Sequence, residues 1–365
     1  MRIVHLITHL RLGAGRAIVD LAVHQASHRG HDVLIVVADD AEGRWRSDPA
    51  MVEELRASGV GVHTAGDFFH RDPFLLDAAA VRLRALAGPW DDLTVVHSHT
   101  APGIAVARWS GARRIIATCH GWSIDRPAEY ALQDALAFSL ADAIVSPSTY
   151  WAERVAALPG HPHVEAIPYG FDLSRYADLM PNRAGRHPAR IACLGELTAR
   201  KGQDVLLEAM PAVWDALPQA EVHLFGDGDL RPALEARARG LDVDSRRVFL
   251  HGHVRGAYRQ LPDHDLLVLP TRSDNQPVAI VEAMLAGLPI VSTTVGGIPE
   301  MIEQADCGET VAPEDPGGLA ASMLRVLGRR DRDAMSARGR SFAAATYDVA
   351  RSAAAHQPLY QDTIR

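Results

Sequence analysis

The 365-residue sequence holds one lysine, Lys201; every other basic side chain among its 37 Lys and Arg residues is arginine. It also has little cysteine. Cys119, Cys193 and Cys307 are odd in number and widely spaced, which excludes a disulfide framework or a Cys-type zinc site and fits reduced core thiols in the cytoplasm. No apolar stretch reaches the ~18 residues of a spanning helix, and the polar-broken Met1–His9 does not read as a secretory signal. Excess positive charge is absent too. The net charge of −8 argues against a nucleic-acid partner and disfavours, while leaving open, contact with an anionic membrane. What remains is an ordinary soluble composition, 47% apolar and 22% charged, long enough for two domains.

Short apolar runs alternate with helix-period segments, the pattern of parallel βαβ units. Strands are expected at Ile3–Ile7, Val33–Val37, Thr94–His97, Arg114–Thr118 and Ala143–Ser146. A second series is expected at Arg190–Leu194, Glu221–Phe225, Arg247–Leu250, Leu266–Leu269 and Pro289–Thr293. Helices are expected at Ala17–Ser27, Ala101–Trp109, Ala128–Leu140, Val205–Leu217 and Val278–Ala286. The Pro-, Gly- and polar-rich stretch around 173–188 reads as a linker. The expected fold class is therefore α/β, with two doubly wound Rossmann-like domains facing across a cleft. Residues 1–172 form the first and 189–346 the second.

Lys201 and its neighbour Arg200 sit between an apolar run and a helical pattern beginning at Gln203. Cations at a helix N-terminus face the positive end of its dipole, so this pair points to a bound anion, phosphate above all. Downstream, Asp274 lies eight residues before Glu282. Glu282 is the only charged residue of an otherwise apolar helix, and Pro277 suits its first helical position. A buried carboxylate needs donors, and paired ribose hydroxyls would supply two, as would backbone amides of a loop. Asp274 reads either as a ligand contact or as an N-cap. Glycine turns are expected at Gly13-Ala14-Gly15, Gly226–Gly228 and Gly296-Gly297. Ile18 stands where a dinucleotide fingerprint needs its third glycine, and no Walker loop occurs, so a nicotinamide enzyme is disfavoured. His97 and His99 offer metal-type spacing without a carboxylate nearby in sequence, and no metal site is expected. His120, at a strand's carboxyl end, is the stronger functional candidate.

In order and spacing these pieces resemble the retaining glycosyltransferases of family 4, which have the GT-B fold. The resemblance runs through Leu12–Arg16, His97-Ser-His99, Thr118–Gly121, Ile167–Asp172, Leu194–Gly202, Phe225–Gly228, the Asp274…Glu282 window and Val295–Glu300. It implies that a C-terminal helix over 347–365 packs back on the first domain. It also implies a nucleotide diphosphate sugar, most readily a UDP-sugar, as co-substrate, with no further cofactor and no metal. Lys201 with Arg200 would hold the diphosphate, and Glu282 the ribose. Asp274 would contact the transferred sugar, with His120 beside it. Gly226, backbone around Asn275, Gln276, Pro277 and Val278, and Gly296 with Gly297 would complete the donor pocket. Gly13, Ala14 and Gly15 would border phosphate and acceptor. The catalytic set is thus Lys201, His120 and Asp274. Glu196 stands where the family usually has Arg, and Asp274 where it has Glu.

The expected reaction is hexosyl transfer to a hydroxyl of a small-molecule acceptor. The Lys-poor, Ala- and Arg-rich usage fits a GC-rich bacterial source, which leaves a secondary metabolite such as an aminocyclitol, a small thiol precursor and a cell-envelope lipid open as acceptors; the low basicity favours a soluble small molecule and secondary metabolism. A sugar-nucleotide epimerase of the same fold and a non-catalytic sugar-nucleotide-binding subunit are the alternatives.

Overall fold

The computed structural model describes the chain except for residues 39–46, 122–126, 159, 161–162, 183–188, 243–245 and 363–365. It divides into two compact units. The first is Met1–Asp172 with Tyr347–Arg365; the second is Leu173–Thr346. Leu173–Tyr176, expected in a linker, is a short 3-10 turn counted with the second unit, while 183–188 lie outside the described residues.

Unit 1 runs β1 (Arg2–Ile7), α1 (Leu12–Arg29), β2 (Asp32–Val37), α2 (Pro49–Ala57), β3 (Gly61–Thr64), α3 (Pro73–Ala87), β4 (Thr94–Ser98), α4 (Ala101–Trp109), β5 (Ile115–Thr118), α5 (Ala128–Phe138), β6 (Ala143–Ser146), α6 (Thr149–Ala156) and β7 (Val164–Ala166). Its parallel sheet has the order β3-β2-β1-β4-β5-β6-β7. The central strands are near-continuous apolar runs, as a sheet covered on both faces demands.

Unit 2 runs β8 (Arg190–Leu194), α7 (Gln203–Ala216), β9 (Glu221–Phe225), α8 (Arg231–Leu241), β10 (Val248–Gly252), β11 (Leu266–Leu269), α9 (Val278–Leu285), β12 (Ile290–Thr293), α10 (Ile298–Ala305), β13 (Gly308–Val311), α11 (Pro316–Gly328) and α12 (Arg332–Thr346). Its sheet is again parallel, in the order β10-β9-β8-β11-β12-β13. The last helix, α13 (Val349–Asp362), belongs to unit 1, where Leu359 and Tyr360 are buried against Ile3, Val95 and Ile116.

In both sheets the chain reverses its direction of travel between two central strands, β1 and β4 in unit 1, β8 and β11 in unit 2. Loops leaving the carboxyl ends of those strands diverge there and leave a crevice for ligands. One expectation is corrected: Gly13, Ala14 and Gly15 are not a turn but the first turn of α1. Among the described residues no helix is long and apolar enough to cross a membrane. All three cysteines are buried free thiols.

Candidate functional site

Lys201 and Asp274 leave the two strands that flank the reversal in unit 2. After β8 the chain passes Gly195 and enters a 3-10 turn over Ala199–Lys201; Gly202 then adopts φ +69° and opens α7. After β11 it runs through Pro270–Pro277 into α9. The two loops are stitched together. Arg272 N–H donates to the Arg200 carbonyl (2.8 Å), and Thr271 Oγ1 donates to the same carbonyl (3.0 Å). The Arg272 guanidinium grips both oxygens of Asp204 in the first turn of α7, at 3.0 and 2.8 Å.

This frame sets Lys201 Nζ 2.5 Å from Asp274 Oδ2, both side chains only 13% exposed, with Arg200 Nη1 3.6 Å from the same oxygen. The anion that the two cations demand is thus already present as a carboxylate. Asp274 is no N-cap: that position falls to Pro277, one residue earlier in the helix than expected, and it makes no side-chain cap bond. The pair lies 73 residues apart in sequence, which is why sequence patterning did not reveal it.

Two glycines let backbone close around this point. Gly296 has φ +57°, and a Cβ there would lie 1.7 Å from the Asp274 carbonyl oxygen. Gly297 N–H donates to the Asn275 carbonyl at 3.0 Å, so the Gly296-Gly297 turn and the Asp274–Val278 segment form one surface. Gly226, at φ +149°, likewise brings the end of β9 against Gly195, where a Cβ would stand 1.9 Å from the carbonyl oxygen. Asn275 and Gln276 are buried.

Glu282, on α9, is half-buried, and its carboxylate has no hydrogen-bond partner among the described residues. Burial pushes its pKa from 4.5 up to about 8. A carboxyl so placed lacks donors that a ligand can supply.

His120 and the first turn of α1 belong to unit 1. His120 lies two residues past the end of β5. Its Nδ1 lies 2.5 Å from the Tyr169 hydroxyl, its ring stacks on His99 at 5.4 Å, and burial lowers its pKa to about 4. Beside it run His5 and His97, register partners on β1 and β4. His5, His97 and His99 each offer a nitrogen within 4.8 Å of the others. Hydrogen bonds account for the grouping: His5 bonds His99 (3.0 Å) and Gln25 (2.8 Å), and His97 bonds Tyr360 (2.8 Å) and Thr118 (2.7 Å). His5, Gln25, Tyr169 and Tyr360 were not foreseen. The available signal was a histidine in the middle of each of two otherwise apolar strands.

Comparison with known proteins gives the family. Residues 12–175 match Glycosyltransferase Family 4, and residues 188–329 match Glycosyl transferases group 1. A GDP-mannose-dependent alpha-(1-6)-phosphatidylinositol monomannoside mannosyltransferase of Mycolicibacterium smegmatis is 31% identical over 330 residues, covering 82% of this chain and 84% of that one. The chain belongs to glycosyltransferase family 4. A protein of the same description from Mycobacterium tuberculosis is 28% identical, over 83% of this chain and 84% of that one. Among solved structures, Anabaena HepE in complex with UDP matches with a TM-score of 0.79 at 18% identity, over 99% of this chain and all of that one. Sucrose-phosphate synthase of Thermosynechococcus elongatus also reaches 0.79, at 17% identity over 99% of both. The fold is GT-B, and the protein is a glycosyltransferase that uses a nucleotide sugar.

Proposed function

We propose that unit 2 binds the donor diphosphate on Lys201 and Arg200, and that hexosyl transfer proceeds with retention of anomeric configuration and without a metal ion. The observation that carries this reading is the Lys201–Asp274 contact of 2.5 Å beneath the amino end of α7. Two cations and the first-turn amides of α7 form a ready-made anion site in which Asp274 occupies one phosphate position. An arriving diphosphate displaces that carboxylate. Asp274 then turns to the hydroxyls of the transferred sugar, and Glu282 receives the paired ribose hydroxyls it lacks. Gly296, Gly297 and the backbone around Asn275 to Val278 close around the donor. As the glycosidic bond breaks, charge grows on the leaving diphosphate, and Lys201 stabilises it where it develops. The acceptor hydroxyl attacks from the face the diphosphate leaves, and its proton passes to the diphosphate.

The mannosyltransferase relatives are named GDP-mannose-dependent, which supports GDP-mannose as the donor over the UDP-sugar expected on sequence. A donor-cleavage screen across GDP-mannose and UDP-, GDP- and ADP-hexoses decides. The same assay tests the site. Lys201→Ala lowers turnover by about 10²–10³, the loss typical of one preorganised charge partner; near-normal turnover refutes the assignment.

For the acceptor, a soluble polyol or glycoside is the first reading. A second, lipid-borne acceptor is favoured by one feature. Phe74 on α3 and Leu132 and Leu136 on α5 are 85%, 64% and 62% exposed, and Arg71 bridges the two segments by binding Asp134 at 2.6 Å. Co-sedimentation with phosphatidylinositol-containing vesicles separates the two readings.

A further inference from the structure

Beside His120, unit 1 holds a cavity of about 20 Å³ whose walls include His99, His120, Thr118, Tyr169 and His356. That is space for one water or one hydroxyl group. Two buried nitrogens of the lining residues, His99 Nδ1 and His120 Nε2, have no hydrogen-bond partner. The hydrogen bonds behind them settle what the first of these can do.

Gln25 is the starting point. Its Nε2 donates to the Tyr360 hydroxyl at 3.0 Å, and its Oε1 lies 2.8 Å from His5 Nε2. An amide oxygen only accepts, so His5 Nε2 carries a proton. Burial lowers the His5 pKa to about 4, so the ring is neutral and its Nδ1 is bare. That bare nitrogen lies 3.0 Å from His99 Nε2, which must therefore donate. Burial lowers the His99 pKa as well; the neutral ring has used its one proton, and His99 Nδ1 is a free lone pair. The other branch agrees. Tyr360 accepts from Gln25, so its own hydrogen goes to His97 Nδ1 (2.8 Å), and His97 Nε2–H donates to Thr118 Oγ1 (2.7 Å). Burial raises the Tyr360 pKa and keeps that hydroxyl protonated.

We propose that Gln25 is a positioning residue whose amide fixes this five-member relay, so that His99 presents an unprotonated Nδ1 to the cavity as the acceptor for one hydroxyl group. That hydroxyl belongs either to a bound polyol or to a water. Reversing the Gln25 amide would reverse every proton in the relay and turn His99 Nδ1 into a donor. The relay lies within unit 1 and does not depend on how the donor binds in unit 2.

The test is the imidazole nitrogen spectrum of the full chain labelled with ¹⁵N-histidine at neutral pH. The His99 signals are assigned by their loss in His99→Gln. The proposal expects a pyridine-type, unprotonated Nδ1 and a protonated Nε2 on His99, with the same pattern on His97 reflecting its Nε2–H bond to Thr118. In Gln25→Met, which keeps the volume and removes the amide, His5 and His99 lose their single tautomer. Added methyl α-mannoside distinguishes the sources: a moving His99 Nδ1 resonance assigns the site to a substrate hydroxyl, and an unmoved one assigns it to water. A protonated His99 Nδ1 in the unsubstituted protein overturns the proposal, with no variant needed. So does a folded Gln25→Met whose tautomers are unchanged.

Discussion

Lys201 and Asp274 hold each other in a contact that a diphosphate bound at the proposed donor site would have to break. The carboxylate is therefore both a future ligand contact and a present competitor. Asp274→Asn removes the competitor's charge while keeping its shape. Free GDP or UDP binds this variant more tightly, by up to about tenfold, or 1.4 kcal/mol. Turnover nevertheless falls, because the sugar contact is weakened. Calorimetry beside a rate assay shows the opposite movements; weaker nucleotide binding would mean that Asp274 assists the phosphate instead. Glu282 yields a prediction in pH. Burial raises its pKa from 4.5 to about 8. Between those values the folded chain holds a proton that the unfolded chain has released. Stability of the ligand-free protein therefore falls as pH rises through that window and levels off above it. Glu282→Gln removes this slope, and in denaturant unfolding its free energy of unfolding gains on that of the parent protein from pH 5 to pH 8.5, by an amount on the order of a few kcal/mol. Equal slopes would show that Glu282 is already ionised. At this scale the sequence was half legible. A lone lysine before a helix stands out from local pattern alone, whereas the carboxylate it meets is 73 residues away and appears only once two loops are folded together.

The elements that the sequence disclosed are those buried on both faces. Ala143–Ser146, Arg190–Leu194, Glu221–Phe225 and Leu266–Leu269 are unbroken apolar or nearly apolar runs, and each forms a strand over the expected residues. The strands missed are β3, β7 and β13, all at sheet edges, three or four residues long and without a fully buried residue. A half-exposed edge strand leaves no apolar run to read. Gly13–Gly15 misled for a related reason: two glycines signal a turn, yet a helix tolerates them in its first turn, where packing of Ala17 and Ile18 holds it. Among the loops, the Gly296 turn is the most constrained. At φ +57°, with a Cβ 1.7 Å from the Asp274 carbonyl, Gly296→Ala must move the Asp274–Val278 segment. The expected cost is on the order of 1–3 kcal/mol in stability, with loss of nucleotide binding in calorimetry. A variant that binds normally would show that this segment does not line the donor site.

At the scale of the whole molecule, each unit carries its own parallel sheet, and each sheet gathers its candidate site residues where strand order reverses: Lys201 and Asp274 after β8 and β11, His5, His97 and His99 on and after β1 and β4. The two-fold alternation of strands and helices was plain in the sequence. The role of α13 in unit 1 was not derivable from its composition, since Tyr360 gains its meaning only from His97 and Gln25. Donor binding as proposed requires the diphosphate to lie in unit 2 at the amino end of α7. The most direct measurement is a crystal structure of the protein soaked with GDP or UDP. The predicted result is a β-phosphate within hydrogen-bond distance of Lys201 Nζ, with the Asp274 carboxylate displaced. Phosphates bound elsewhere, with the Lys201–Asp274 contact intact, would contradict it.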